Sequence, residues 1–543
     1  MKDKMYNCKT TTEYMRLAFS VLNYIYLVCM LTVYMLIIDK RYTNITITRY
    51  NCFLYITLAY IICMALTAVV GILSMYADGN KGQLKASIKI TFNPPSVAML
   101  AFVLANLIAC IMGSPFEETL TDGSTSMHAF WGDMGRHMGF ATYFLIGIAF
   151  VMLARRYNGY NSLYVIFSPV AIFTMVLALV QHTGYDAFGL KYRIVKKQYK
   201  RFISTFGNVN IFASYIVMLF GITLGIYMYS RYLKGGIKIY LRVVYGLMLV
   251  MLGMAAMVAI SDSVYLGIAA ICYVAFIIAY RQDELKSMLE GTAFFALGHL
   301  IMCVWHTRME KYPYYKGLSH TLDNVKYAVI FLSLVCLVYL AIICIEVYRR
   351  KTGKASFDKN KGTVCILALT ALAMIVIVVW GVRSGNPLFK IDYKWGTYRG
   401  YIWTKCVETF KEAPLMNKLF GFGNESIRQA VTNPNYDEML KVTKMIYDNA
   451  HNEFLQYLIT LGIFGAASYA AFIVTAFVYM VKHGGRSLHV YTAVFAMVGY
   501  VAQSTINVNQ PITTPIFFFL VAMGVGYASH ERRKQAEPAA EKI

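Results

Sequence analysis

The chain has 543 residues, 58% of them hydrophobic and 15% charged, with a formal net charge of +23. That composition excludes a soluble globular domain and fits a protein that crosses a membrane many times. The eleven cysteines add no framework: most, such as Cys29, Cys63, Cys272, Cys336 and Cys344, fall inside apolar stretches, and no Cys-x-x-Cys or Cys/His metal spacing occurs, which argues against a disulfide scaffold or a zinc site.

A helix needs about 20 apolar residues to cross the hydrocarbon. On that criterion the sequence predicts an all-α polytopic fold of fourteen spans: 17–38, 52–75, 96–112, 139–153, 162–180, 211–229, 243–260, 263–280, 291–306, 326–347, 363–382, 454–481, 489–506 and 512–528. Segments 139–153 and 291–306 are short and cross only untilted or with local thinning. Leu17–Ile38 is long for a signal-peptide core and no small-residue cleavage site follows, so it reads as an anchor.

Short basic loops set the orientation. Lys2, Lys4 and Lys9 place the N-terminus in the cytoplasm. Alternation then puts Lys81/Lys85/Lys89, Arg155/Arg156, Arg231/Lys234/Lys238, Arg281/Lys286, Arg349/Arg350/Lys351, Lys482/Arg486 and Arg532/Arg533/Lys534 on the same side. Residues 1–382 therefore hold helices 1–11, 383–453 form one long external loop, 454–530 hold helices 12–14, and 531–543 are a cytoplasmic tail. Lys351–Lys361 reads as a solvated cytoplasmic connector. The outer side is basic as well, in 182–210 and through the long loop, which fits either anionic headgroups or a phosphate-bearing or acidic substrate.

Several polar elements stand out in chain order. Lys200-Arg201-Phe202-Ile203-Ser204-Thr205-Phe206-Gly207-Asn208-Val209-Asn210 is a basic run ending at the outer mouth of span 211–229; its asparagines suit a helix cap or sugar hydroxyls. Ser261-Asp262-Ser263 is a polar break between two spans, either a plain hairpin or a place where Asp262 faces a cavity. Apolar residues Ile402, Trp403, Cys406, Val407 and Phe410 recur at helical spacing from Arg399 to Lys411, predicting an amphipathic helix ended by Pro414. Arg399 opens that helix, against the sign of the helix dipole, and a guanidinium there is suited to phosphate oxygens and to a leaving pyrophosphate.

Gly421-Phe422-Gly423 reads as a turn more than an anion nest. A short helix is expected through Arg428 and Ala430, a turn at Asn433-Pro434-Asn435, and a helix around Glu438–Tyr447. At the loop's end, Ala450-His451-Asn452-Glu453-Phe454 runs into an apolar span. A lone histidine at such a rim is usually structural, yet a neutral imidazole there can take a proton from a hydroxyl. Asn452 and Glu453 are placed to orient it.

These motifs together resemble the O-antigen ligase and polysaccharide polymerase family of bacterial inner membranes. The resemblance rests on His451-Asn452 opening a late span that carries Gly462 and Gly465, on the Gly-x-Gly and Arg399-x-x-x-Trp403 before it, and on Phe206-Gly207-Asn208-Val209-Asn210; it covers roughly 200–530. It implies a GT-C-like membrane glycosyltransferase that needs no metal or cofactor. The implied donor is a glycan on undecaprenyl pyrophosphate, and the acceptor a hydroxyl of a glycan, lipid or protein. His451 would activate that hydroxyl and Arg399 would stabilise the leaving pyrophosphate. Arg201, Lys200, Asn208, Asn210, Asn452, Trp403 and Asp262 would bind substrate. Many members carry Ser-Arg-Gly where this chain has Ser261-Asp262-Ser263; either Arg201 supplies that charge or the substrate is handled differently.

The expected partners are the lipid-linked glycan, its acceptor and membrane lipid, with no nucleic acid. A polysaccharide-lipid flippase or another secondary transporter is the alternative from a different class. It would want charges lining a central path, whereas spans 326–347 and 363–382 carry almost none and the cations gather outside.

Overall fold

The computed structural model describes residues 10–79, 92–113, 118–119, 125–126, 129–132, 135–309, 311, 325–352, 358–385, 389–390 and 392–540. The basic runs Lys2–Lys9 and Lys81–Lys89 lie outside the described residues. Helices dominate: α1 (Thr11–Leu31), α2 (Ile45–Ala77), α3 (Pro94–Met112), α4 (Phe140–Arg156), α5 (Ser162–His182), α6 (Val209–Tyr229), α7 (Gly235–Val258), α8 (Ser263–Gln282), α9 (Leu285–Met309), α10 (Val325–Thr352) and α11 (Lys359–Arg383) precede the long loop. Within it stand α12 (Trp395–Glu412), α13 (Leu415–Phe420) and α14 (Tyr436–Thr443), and after it α15 (Glu453–His483), α16 (Leu488–Ser504) and α17 (Thr514–Ala540). Two minimal antiparallel hairpins join β1 (Glu118–Thr119) to β2 (Thr125–Ser126) and β3 (Phe202–Ile203) to β4 (Gly207–Asn208).

Each of the fourteen predicted segments falls on a helix, but among the described residues eleven helices are long and apolar enough to cross a membrane. The other three segments lie on α4 and α16, at 17 residues each, and on α17, which runs on through Arg532, Arg533 and Lys534. Seventeen helical residues reach about 26 Å, a few ångström short of the ~30 Å hydrocarbon core. The result is a polytopic all-α membrane protein with eleven such helices; the expected fourteen crossings exceed what these lengths establish.

Packing is built around α6, whose Ile211–Met228 are all buried. Small residues let its neighbours approach, the usual device where lipid removes the hydrophobic drive between helices. A Cβ on Gly221 would stand 2.6 Å from the backbone nitrogen of Ala496, and one on Gly225 2.9 Å from that of Thr492, so α6 and α16 cross nearly backbone to backbone. The α7–α9 crossing is closer still: a Cβ on Gly253 would meet the Phe295 carbonyl at 2.0 Å. At the periphery, α10 and α11 leave most of their apolar surface uncovered by protein, as lipid-facing helices do.

Helix α2 begins seven residues before the predicted span because Arg49 is absorbed rather than excluded. Its guanidinium is fully buried and donates to the carbonyls of Tyr34, Met35 (2.7 Å) and Thr205 (2.7 Å). A buried charge persists only with such partners. These bonds tie the end of α1 to the β3–β4 hairpin that leads into α6.

The long loop packs as a small cap with its own core. Tyr401, Ile402 and Cys406 of α12 close on Ile427, Val431, Met439, Tyr447, Ala450 and Ile459. That buried face accounts for the apolar spacing from Arg399. A π-turn spans Arg428–Thr432 and a 3-10 turn Asn433–Asn435. α14 stops at Thr443, four residues before the predicted end, because Lys444 turns left-handed at φ 57°. The short helix α13 has no counterpart in the sequence reading.

Candidate functional site at the outer rim

The cap is sewn into a broken membrane helix. Gly462 has φ 67° and ψ −169°, which interrupts α15 after two turns. The Ile459 and Thr460 carbonyls then accept from the backbone N–H groups of Phe422 and Gly423, both at 3.0 Å. Gly421, at φ 83°, has no room for a side chain: a Cβ would sit 2.2 Å from the Thr460 carbonyl oxygen. Gly-x-Gly here is thus a docking strap along unwound backbone, tolerated at membrane depth because protein covers it.

His451 lies eleven residues before that break, just ahead of α15, in a left-handed conformation at φ 48°. Side chains hold the turn from three directions. Asn449 Oδ1 accepts from His451 N (2.9 Å), Gln456 Oε1 from Ala450 N (3.0 Å), and the indole Nε1 of Trp403 donates to the Ala450 carbonyl (2.9 Å). Asn452 caps α15 by accepting from Leu455 N at 3.0 Å. The imidazole meets the Tyr447 ring edge-on at 5.7 Å, and its Nδ1 is buried without a hydrogen-bond partner.

Two guanidinium groups bear on that ring. Residues 396–398 all lie at positive φ, so the regular part of α12 begins at Arg399. Arg399 donates from Nη1 to the Gly396 carbonyl at 3.1 Å, while its Nε is buried and unpartnered. The second is Arg136, from the loop between α3 and α4, which the sequence reading did not single out. It donates to Asp448 Oδ1 at 2.6 Å. Burial, then Arg399 and Arg136, push the His451 imidazolium down to about 3, with Asp448 opposing. Partial burial would raise the Asp448 carboxyl, but Arg136 and the bond from Asn449 outweigh it and hold it below the usual range. Burial lowers Arg399, against the nearby Tyr447 and Asp262. Burial and the two arginines thus favour the neutral imidazole at His451.

Of the sequence-predicted residues, the structure brings His451, Arg399, Trp403 and Asn452 together. Asp262, exposed at the turn between α7 and α8, lies within electrostatic reach of Arg399. Asn210 joins from the side: its Oδ1 accepts from Ser261 Oγ at 3.1 Å. Asn208 caps α6 through Asn210 N at 2.8 Å. Lys200 stands beside His182 instead, and Arg201 is exposed.

The residues missed by sequence are Arg136, Asp448, Tyr447 and the full role of Glu453. Arg136 and Asp448 are separated by 312 positions, and no local spacing betrays such a pair. Glu453 is fully buried below the histidine, accepting from Tyr457 OH (2.8 Å) and Tyr469 OH (3.3 Å). Only its adjacency to His451 signalled it.

Residues 247–470 match the family model described as O-antigen ligase. No curated protein matches the chain. The matched region contains Asp262, Arg399, Trp403, His451 and Asn452, and leaves Arg136, Lys200, Arg201, Asn208 and Asn210 outside. It bears out the resemblance to that family and, on a polytopic helical chain, supports a membrane glycosyltransferase of the ligase or polymerase type.

Proposed function

Starting from that family match, we propose that the chain transfers a glycan from an undecaprenyl-pyrophosphate donor to an acceptor hydroxyl at the outer face of the bacterial cytoplasmic membrane, with both termini cytoplasmic. The observation that carries this reading is a half-buried histidine just ahead of a membrane helix, with Arg399 and Arg136 both bearing on it. His451 accepts the proton of the acceptor hydroxyl. The freed oxygen attacks the anomeric carbon with inversion, the bond from that carbon to the diphosphate oxygen breaks, and its electron pair leaves with the lipid diphosphate. Arg399 receives the departing charge, and fixed donors aimed at developing charge are usually the largest catalytic contribution. Asp262, Asn210 and Asn452 border the space for sugar hydroxyls, with Lys200 and Arg201 as an outer basic approach and Trp403 holding the histidine turn. No residue role in this scheme calls for a metal. A GT-C-like arrangement fits the same features.

The protein in nanodiscs, given undecaprenyl-pyrophosphate glycans and candidate acceptors, tests the reading. His451→Ala is expected to lower transfer by at least the roughly 100-fold typical of a lost general base. Undiminished transfer by this variant would remove the histidine from the mechanism. Glycan appearing across the bilayer with no new glycosidic bond would favour a flippase.

A further inference from the structure

The Arg136–Asp448 pair is unusual for an ion pair in an external loop. The Arg136 side chain is nine-tenths buried while that of Asp448 is 45% exposed. Among the described residues Nη2 of the guanidinium bonds Asp448, while Nη1 is buried and has no hydrogen-bond partner. An unsatisfied N–H of a buried cation is costly, on the order of a few kcal/mol. Buried nitrogens without a partner recur in the same site at Arg399 Nε and His451 Nδ1. Arg136 and Arg399 thus each keep a buried guanidinium nitrogen without a partner among the described residues, both bear electrostatically on His451, and the carboxylate bonded to Arg136 is half-exposed. A plain structural ion pair would consume its donors rather than leave one buried and unpaired.

We propose that Arg136 is a second anion-binding arginine of this site and that Asp448 is a place-holder, its carboxylate occupying the position a diphosphate oxygen takes when ligand binds. This rests on the diphosphate-donor reading above and adds to it a residue from outside the matched region. Guanidinium groups take phosphate oxygens in the same fork geometry as carboxylates, so the exchange keeps Arg136 paired in both states. Asp448 is free to leave because its side chain is half in water. It belongs to the tight turn 448–451, where its Oδ1 also accepts from Asn449 Nδ2 at 2.7 Å and Asn449 in turn holds His451 N. Filling the Arg136 position with phosphate thus resets the hydrogen bonds of the turn that carries the base. The same arginine serves the intact donor and the lipid diphosphate product, since both present a diphosphate.

The experiment titrates the full-length protein in nanodiscs with two probes, inorganic pyrophosphate and undecaprenyl diphosphate, and follows thermal unfolding alongside. Arg136→Ala is expected to weaken both by about 10- to 100-fold, the range of a charge-assisted hydrogen bond. Arg136→Lys recovers part of that loss, and Asp448→Asn tightens both probes several-fold by removing the competing carboxylate. Unchanged pyrophosphate affinity in a folded Arg136→Ala protein overturns the proposal, as does an Asp448→Asn protein that binds as weakly as Arg136→Ala. Should Arg136→Ala not fold, Arg136→Lys and Asp448→Asn decide alone. Arg399→Ala separates the two levels: a loss there without a loss at Arg136 sinks only this proposal, whereas no loss in either variant sinks the diphosphate site as a whole.

Discussion

At the scale of single residues, the state of His451 is set by its neighbours. An unfolded histidine titrates near 6.5, and burial with Arg399 and Arg136 brings this one to about 3 in the fold. Between those values the unfolded chain binds the extra proton, so stability rises with pH there. The contribution is whole above about 6.5 and is lost as pH falls toward 3; thermal unfolding of His451→Gln should depend less on pH than that of wild type in this window. On the proposed mechanism, a bound diphosphate would offset the charge of both arginines and raise the imidazole. The acid limb of kcat is therefore expected above that of kcat/KM for the donor, which reports the free enzyme; coincident limbs would contradict the placement of diphosphate beside His451. The histidine and Arg399 were legible in sequence because each marks the start of a helix at the edge of a polar loop. Arg136 was illegible for the opposite reason, since nothing about residues 130–140 refers to Asp448 until the chain is folded.

At the scale of elements, the glycines of the strap and the break carry the site. Gly462 is in a region of backbone space open essentially to glycine alone, and a Cβ there would also lie 2.4 Å from the Leu419 carbonyl oxygen. Gly462→Ala is expected to cost at least roughly 1–3 kcal/mol from backbone strain, to release the Phe422 and Gly423 bonds, and to make the 383–449 loop more sensitive to external protease. A variant with wild-type melting and unchanged proteolysis would show that the break is not needed. The sequence pattern located this helix and its glycines but read them as an ordinary span and turn. Periodicity reports which face is apolar, and a helix broken at one residue keeps nearly the same periodicity on either side. The amphipathic α12 was legible because its buried face, Ile402 and Cys406, obeys that spacing, whereas α13 has no buried residue to announce it.

At the scale of the whole molecule, hydropathy fixes which segments are helical and leaves depth open, which is why, among the described residues, fourteen apolar segments become eleven helices long and apolar enough to cross, two that are shorter and one that is less apolar. Those lengths matter because bilayers differ in thickness by several ångström, and a helix meets a mismatch by tilting or kinking. In α15 the place to bend is already present at Gly462. The two turns before it, Glu453–Leu461, are held to the cap through Phe422 and Gly423, pack on Phe102 through Tyr457 and reach across the break where Glu453 accepts from Tyr469 OH; the longer piece after it packs with the membrane bundle through Ser468, Tyr469 and Phe472. A change in bilayer thickness is expected to be taken up by the longer piece at the break, with the cap bonds at Phe422 and Gly423 holding the first two turns and the neighbouring His451 in place. Transfer rates in nanodiscs of fourteen- and eighteen-carbon lipids are thus expected to agree within a few-fold; a steep dependence would mean the two pieces move as one. The same glycine that makes the helix discontinuous acts as a mechanical isolator, keeping the chemistry of the surface independent of the membrane that carries it.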